Sequence, residues 1–149
     1  MSLSRTRTRG VTAAALAALA ATTLTVADAG ASPAAAAAPQ KRQIASSVLG
    51  TDYKITLTAL RSTEDRYAAS VRLQVYKKVG GAWKESDRVT VGDVGGWFWY
   101  PLTGSGAVCQ FSTAGTEPAP LTVSLLLTPS LGCSEPAHYV VKQGRVYAD

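Results

Sequence analysis

Residues 53–60 read YKITLTAL and residues 67–79 read YAASVRLQVYKKV. In both, apolar side chains occupy every second position. Tyr53, Ile55, Leu57 and Ala59 oppose Lys54, Thr56 and Thr58, while Tyr67, Ala69, Val71, Leu73 and Val75 oppose Ser70, Arg72, Gln74 and Tyr76. A period of two places alternate side chains on opposite faces of an extended chain. It cannot wrap a helix with one apolar stripe, so these stretches predict strands with one buried face. WKESDRVTV, AVCQFST, LTVSLLL and HYVV extend the pattern towards the C-terminus. About seven short strands, with turn chemistry every 8 to 16 residues or so, predict an all-β fold. The expected architecture is an immunoglobulin-like β-sandwich of antiparallel strands.

Register can be read at Gly80-Gly81. A three-residue loop, Gly80 to Ala82, pairs Val71 with Val91 and Leu73 with Val89, and sets Lys77 opposite Glu85. A two-residue loop pairs Leu73 with Arg88 and Val75 with Ser86, which sets polar groups on the apolar face. A one-residue slip turns every side chain over, so the first pairing is predicted.

The N-terminus has a different character. Arg5, Arg7 and Arg9 precede an apolar run from Val11 to Val26, followed by small residues with several A-x-A sites. This is the layout of a secretory signal. The apolar run falls short of the roughly 20 residues that cross a bilayer. Residues 1–37 are therefore expected to be a signal peptide and an Ala/Pro-rich spacer, cleaved after Ala29, Ala31 or Ala37. Residues 44–149 are expected to form one β-sandwich domain, secreted and extracellular, with no membrane span after cleavage. In an oxidising compartment, two cysteines predict a single disulfide, Cys109–Cys133.

The chain has 15 Lys and Arg against 10 Asp and Glu. Arg5, Arg7 and Arg9 lie in the signal, and acids and bases alternate through the remainder. No basic run exists to contact phosphates in series, so nucleic acid is not an expected partner. Asparagine is absent, which removes N-glycosylation sequons. The heavy use of Ala, Gly, Val and Thr has the flavour of a G- and C-rich bacterial genome.

Trp97, Phe98, Trp99 and Tyr100 are consecutive. In a strand, one pair fills the core and the other faces outward. If Gly104, Ser105 and Gly106 form the next loop, Trp99 sits opposite Phe111 and Pro101 opposite Cys109. Trp97 and Trp99 then pack beside the disulfide, and Phe98 and Tyr100 face solvent. A two-residue loop would instead pair Phe98 with Phe111 and Tyr100 with Cys109 and turn the tryptophans outward. The first arrangement is predicted because tryptophan against a cystine is a common sandwich core. Proline cannot donate to a ladder, so this strand is expected at an edge or a bulge.

Catalytic chemistry has little to work with. His138, the sole histidine, follows CSEPA with no nucleophile elbow, and reads as a surface residue opening the last strand. Glu64, Asp65, Glu85, Asp87 and Asp93 lie in or beside turns with nearby cations and read as solvated charges. No metal site and no cofactor are expected. Recognition remains, with Phe98, Tyr100, Trp83 and Tyr76 as candidate contact residues. The expected function is non-catalytic binding of an extracellular protein or cell-surface polysaccharide through an aromatic strand edge. The competing expectation is a small extracellular hydrolase or a polysaccharide-binding accessory domain.

Overall fold

The structure, a computed structural model, describes residues 38–149. The expected signal and spacer lie outside the described residues. Nine-residue strands β1 (Lys41–Leu49) and β2 (Tyr53–Arg61) are followed by β3 (Ala68–Val79) and β4 (Ala82–Val91). The two-residue strand β5 (Trp97–Phe98) leads into a single helical turn, α1 (Trp99–Thr103). Then come β6 (Val108–Thr113), β7 (Ala119–Thr128), β8 (Gly132–Cys133), β9 (Ala137–Lys142) and β10 (Arg145–Ala148).

These strands form two antiparallel sheets. The first has the order β1-β2-β3-β4, with β5 paired to the start of β3. The second has the order β10-β9-β7-β6, with β8 paired to the end of β7. Ile55, Leu57, Leu73 and Val75 from the first sheet bury against Leu121, Val123, Leu125 and Val141 from the second. Every fully hidden Leu or Val side chain removes its apolar area from water at roughly 25 cal/mol per Å².

The sheets also meet along both flanks. On one, β1 lies beside β6, and the Ser47 and Thr113 hydroxyls are 3.2 Å apart. On the other, the Ser86 hydroxyl donates to the Gly144 carbonyl at 2.7 Å, and the Asp87 carboxylate accepts the Val146 N–H at 2.9 Å. α1 packs against β2 and β7 and buries Leu102 completely.

The expected all-β sandwich with one disulfide is present; its immunoglobulin-like character is not confirmed. β1 to β4 share one sheet and β6 to β10 share the other, whereas immunoglobulin connections repeatedly cross between sheets.

The Gly80 hairpin corrects one expectation and keeps another. The loop has two residues, Gly80 and Gly81, at φ 58° and 80°. Adjacent glycines can both enter the left-handed region, which a tight hairpin turn with matching twist requires. Val71 still faces Val91 and Leu73 still faces Val89, because β4 carries a bulge between its pairings with Val75 and Tyr76. The bulge inserts Ser86, the residue that latches Gly144. Lys77 consequently faces Lys84, not Glu85.

The aromatic run is not one strand. Extended backbone ends at Phe98 and a helical turn takes over. Pro101 explains the switch, since its missing N–H would break a ladder but falls in the first turn of a helix, where N–H groups have no intrahelical partner. Phe111 pairs with Val123 instead of Trp99.

The disulfide forms between Cys109 and Cys133, 24 residues apart. It ties β6 to β8, on opposite sides of β7. Both half-cystines are exposed while Trp97 and Trp99 are buried, so the expected packing of tryptophan on cystine does not occur. Cys109 is the extra residue of a bulge in β6, which takes its side chain off the inner face.

Candidate functional site

Four candidate contact residues were read from the sequence, and the fold distributes them to opposite ends of β3. Phe98 pairs with Ala68 at its start, and Trp83 pairs with Lys78 at its end. Phe98 and Tyr100 are 44% and 56% exposed, against 7% and 9% for Trp97 and Trp99. The inward and outward assignment of the run thus holds, although a helical turn delivers its second half.

Around Tyr100 a corner assembles that includes residues the sequence did not single out. The Tyr67 ring lies 6.0 Å from the Tyr100 ring, tilted by 52°, a separation and angle typical of favourable aromatic pairs. The Arg61 guanidinium stands 5.5 Å from the Tyr100 ring centre and 5.7 Å from that of Trp99. Its fork is held from three sides. Nε donates to the Arg66 carbonyl at 2.8 Å, one terminal nitrogen donates to Gln40 Oε1 at 2.8 Å, and the other donates to the Tyr100 hydroxyl at 3.2 Å. Arg66 lies over the Tyr67 ring at 4.7 Å and donates to its hydroxyl.

The turn between β2 and β3 positions this group. Ser62 Oγ accepts the N–H groups of Glu64 and Asp65, and Asp65 Oδ1 accepts the Tyr67 N–H at 2.8 Å. The Tyr67 carbonyl in turn accepts the Trp99 N–H at 2.8 Å, joining the turn to α1. Neither Arg61 nor Arg66 has a carboxylate partner among the described residues. An open depression of about 640 Å³ adjoins the corner, lined by Pro39, Gln40, Arg61, Ser62, Thr63 and Arg66 among others. Val94 is exposed in the nearby loop, whose Gly95 N–H is held by Ser70 Oγ at 2.8 Å.

Tyr76 and Trp83 are different. Both are half-buried, and Lys54 Nζ stands over each, at 4.8 Å and 5.6 Å from the ring centres. Lys78 Nζ also lies 5.6 Å from the Trp83 ring. Those π-faces already hold cations.

His138 is exposed on the second sheet, with Nδ1 3.3 Å from the Thr122 hydroxyl. Among the described residues, two phenols are held above their ordinary value. Burial holds the Tyr139 phenol above its ordinary value of 10.0. Tyr53 is raised by burial first and then by the charges of Glu117 and Asp52.

Arg61 and Arg66 flank the polar turn RSTEDR, where a sequence reading sees solvated charges; Tyr67, expected on the apolar face of the next strand, instead precedes β3 and is 51% exposed. Their meeting with Tyr100 depends on α1, which the alternation of the aromatic run conceals. No family model, no curated protein and no solved structure matches this chain.

Proposed function

We propose that this is a secreted, non-catalytic binding protein that grips an extracellular protein partner through the corner formed by Tyr67, Phe98, Tyr100, Arg61 and Arg66. The observation that carries this reading is the exposure of three aromatic rings beside two guanidiniums without carboxylate partners. Tyrosine, phenylalanine and arginine are the side chains enriched in the buried centres of protein interfaces, and tyrosine and arginine dominate the binding energy there. Rigid placement adds to the case. Arg61 is fixed by three hydrogen bonds, so little side-chain freedom is lost on docking. Export rests on the N-terminal pattern and is supported by the disulfide, a bond that persists in oxidising compartments.

The test is photo-crosslinking. A photoreactive side chain at position 98 of the exported protein should capture one discrete extracellular protein at stoichiometric yield. Tyr67→Ala with Tyr100→Ala should abolish capture. Its melting temperature should fall by no more than about 5 °C, because exposed substitutions usually cost under about 1 kcal/mol. Capture that survives in a folded double variant would remove the corner as the contact surface.

A further inference from the structure

The outer face of the first sheet carries a second surface, different in chemistry from the aromatic corner and joined to it at Arg61. Pairing across β1 to β4 places Lys41, Lys54, Arg72, Lys78 and Arg88 on this one face, with Glu85 as its acid. Five cations less one carboxylate leave +4. Residues 38–149 as a whole hold 12 Lys and Arg against 9 Asp and Glu, or +3. The excess positive charge of the described chain is therefore concentrated on a single sheet face, and everything else sums to slightly negative.

The face is also grooved. A depression of about 470 Å³ lies among Lys41, Thr58, Arg72, Gln74, Tyr76 and Arg88. Arg72 also lines a neighbouring depression of about 420 Å³ that includes Arg61. Arg61 in turn borders the depression beside the aromatic corner. Three hollows thus run in series, with an arginine at each junction. The floor of the 470 Å³ hollow is ordered by a relay. The Thr58 hydroxyl donates to Gln74 Oε1 at 2.8 Å, Gln74 Nε2 donates to Glu85 Oε2 at 2.6 Å, and Glu85 pairs with Arg88. Lys41 and Arg72 have no carboxylate partner among the described residues.

We propose that this track binds an acidic polysaccharide, a linear polymer with carboxylate groups spaced along a chain of sugar rings. Serial hollows fit an extended polymer better than a compact small molecule. Spaced cations fit repeated anions, and Gln74 and Thr58 offer hydrogen bonds to hydroxyls. A single-stranded nucleic acid would add base stacking on open aromatic faces. Along the outer-face hollow Lys54 and Lys78 already stand over the Tyr76 and Trp83 rings, and the exposed rings, Phe98 among them, lie at the corner end.

The experiment is a titration of the full chain, expressed for export, with oligogalacturonate at low ionic strength. Saturable binding is expected, weakening as salt is added because exposed charges are screened. Arg72→Gln with Arg88→Gln should weaken it about tenfold, given the strength of charge-assisted hydrogen bonds. Lys142→Gln with Arg145→Gln removes the same charge from the outer face of the second sheet and should change affinity by less than about twofold, the size of a screened long-range effect. If the arginine pair does not yield folded protein, Lys41→Gln with Lys54→Gln reads the same face, with a weakening of about threefold or more expected for exposed charges. The proposal fails if oligogalacturonate does not bind, if both faces respond equally, or if a single-stranded DNA oligomer binds more tightly than the polysaccharide.

Discussion

On the inner side of the first sheet, Ile55, Leu57, Leu73 and Val75 are hidden from solvent; on that of the second, Leu121, Val123, Leu125 and Val141 are. Outside, the two diverge. The first sheet displays cations, a polar relay and serial hollows. The second displays Ser112, Thr122, Val140 and the disulfide, with Lys142 and Arg145 paired at its β9–β10 end. Inner faces answer to one shared core, so they converge in chemistry. Outer faces are free to differ, and the proposed binding surfaces follow that difference.

Three perturbations sharpen or break that comparison. The largest tests whether the cores are equivalent. Leu73→Ala and Leu125→Ala each empty a fully buried site, and each should cost about 3 kcal/mol of stability in chemical denaturation. A loss in one sheet alone would mean that the two layers do not share a core.

The second tests the asymmetry in covalent support. Cys109→Ala with Cys133→Ala removes a link across 24 residues of the second sheet and should cost about 3 kcal/mol in the chain-entropy picture. Because both sulfurs are exposed and the first sheet has no such link, amide exchange should rise more in β6 to β9 than in β1 to β4. Uniform acceleration would show that the link stabilises the sandwich as a single unit.

The third is alkaline titration. Tyr139 is buried in the second sheet and its phenol is raised above 10.0. A raised folded value means that the unfolded chain loses this proton first. The stabilising contribution is complete below about pH 10, the unfolded value, and is lost as pH climbs through the folded one. Stability should therefore hold to about pH 10 and then decline, and Tyr139→Phe should flatten that decline. An unchanged decline in the variant would assign it to Tyr53, whose phenol is also raised.

Much of this contrast could be read from local pattern. Alternation in 53–60 and 67–79 identifies β2, β3 and their inner residues, because a period of two is fixed by backbone geometry. Exposure of Phe98 was legible for the same reason, whereas Tyr100 is exposed through a helical turn that a period of two does not describe. β1 was missed because KRQIASSVL sits at a sheet edge and buries little beyond Leu49. α1 was missed because the aromatic run alternates as a strand would, and only Pro101 argues otherwise. The cationic face was invisible for a deeper reason. Lys41, Lys54, Arg72, Lys78 and Arg88 come from four strands, with acids of the turns and of β4 interspersed in sequence. Along the chain the signs mix; only the register of β1 to β4 collects one sign on one face.

The most direct measurement is a nuclear magnetic resonance titration of the isotopically labelled exported protein with oligogalacturonate, following backbone amides and arginine side chains together. Shifts should concentrate on Arg72, Gln74, Glu85 and Arg88 and leave Thr122, Lys142 and Arg145 unmoved. Shifts centred on the β9–β10 end, or spread evenly over both sheets, would contradict the assignment of partner recognition to the first sheet.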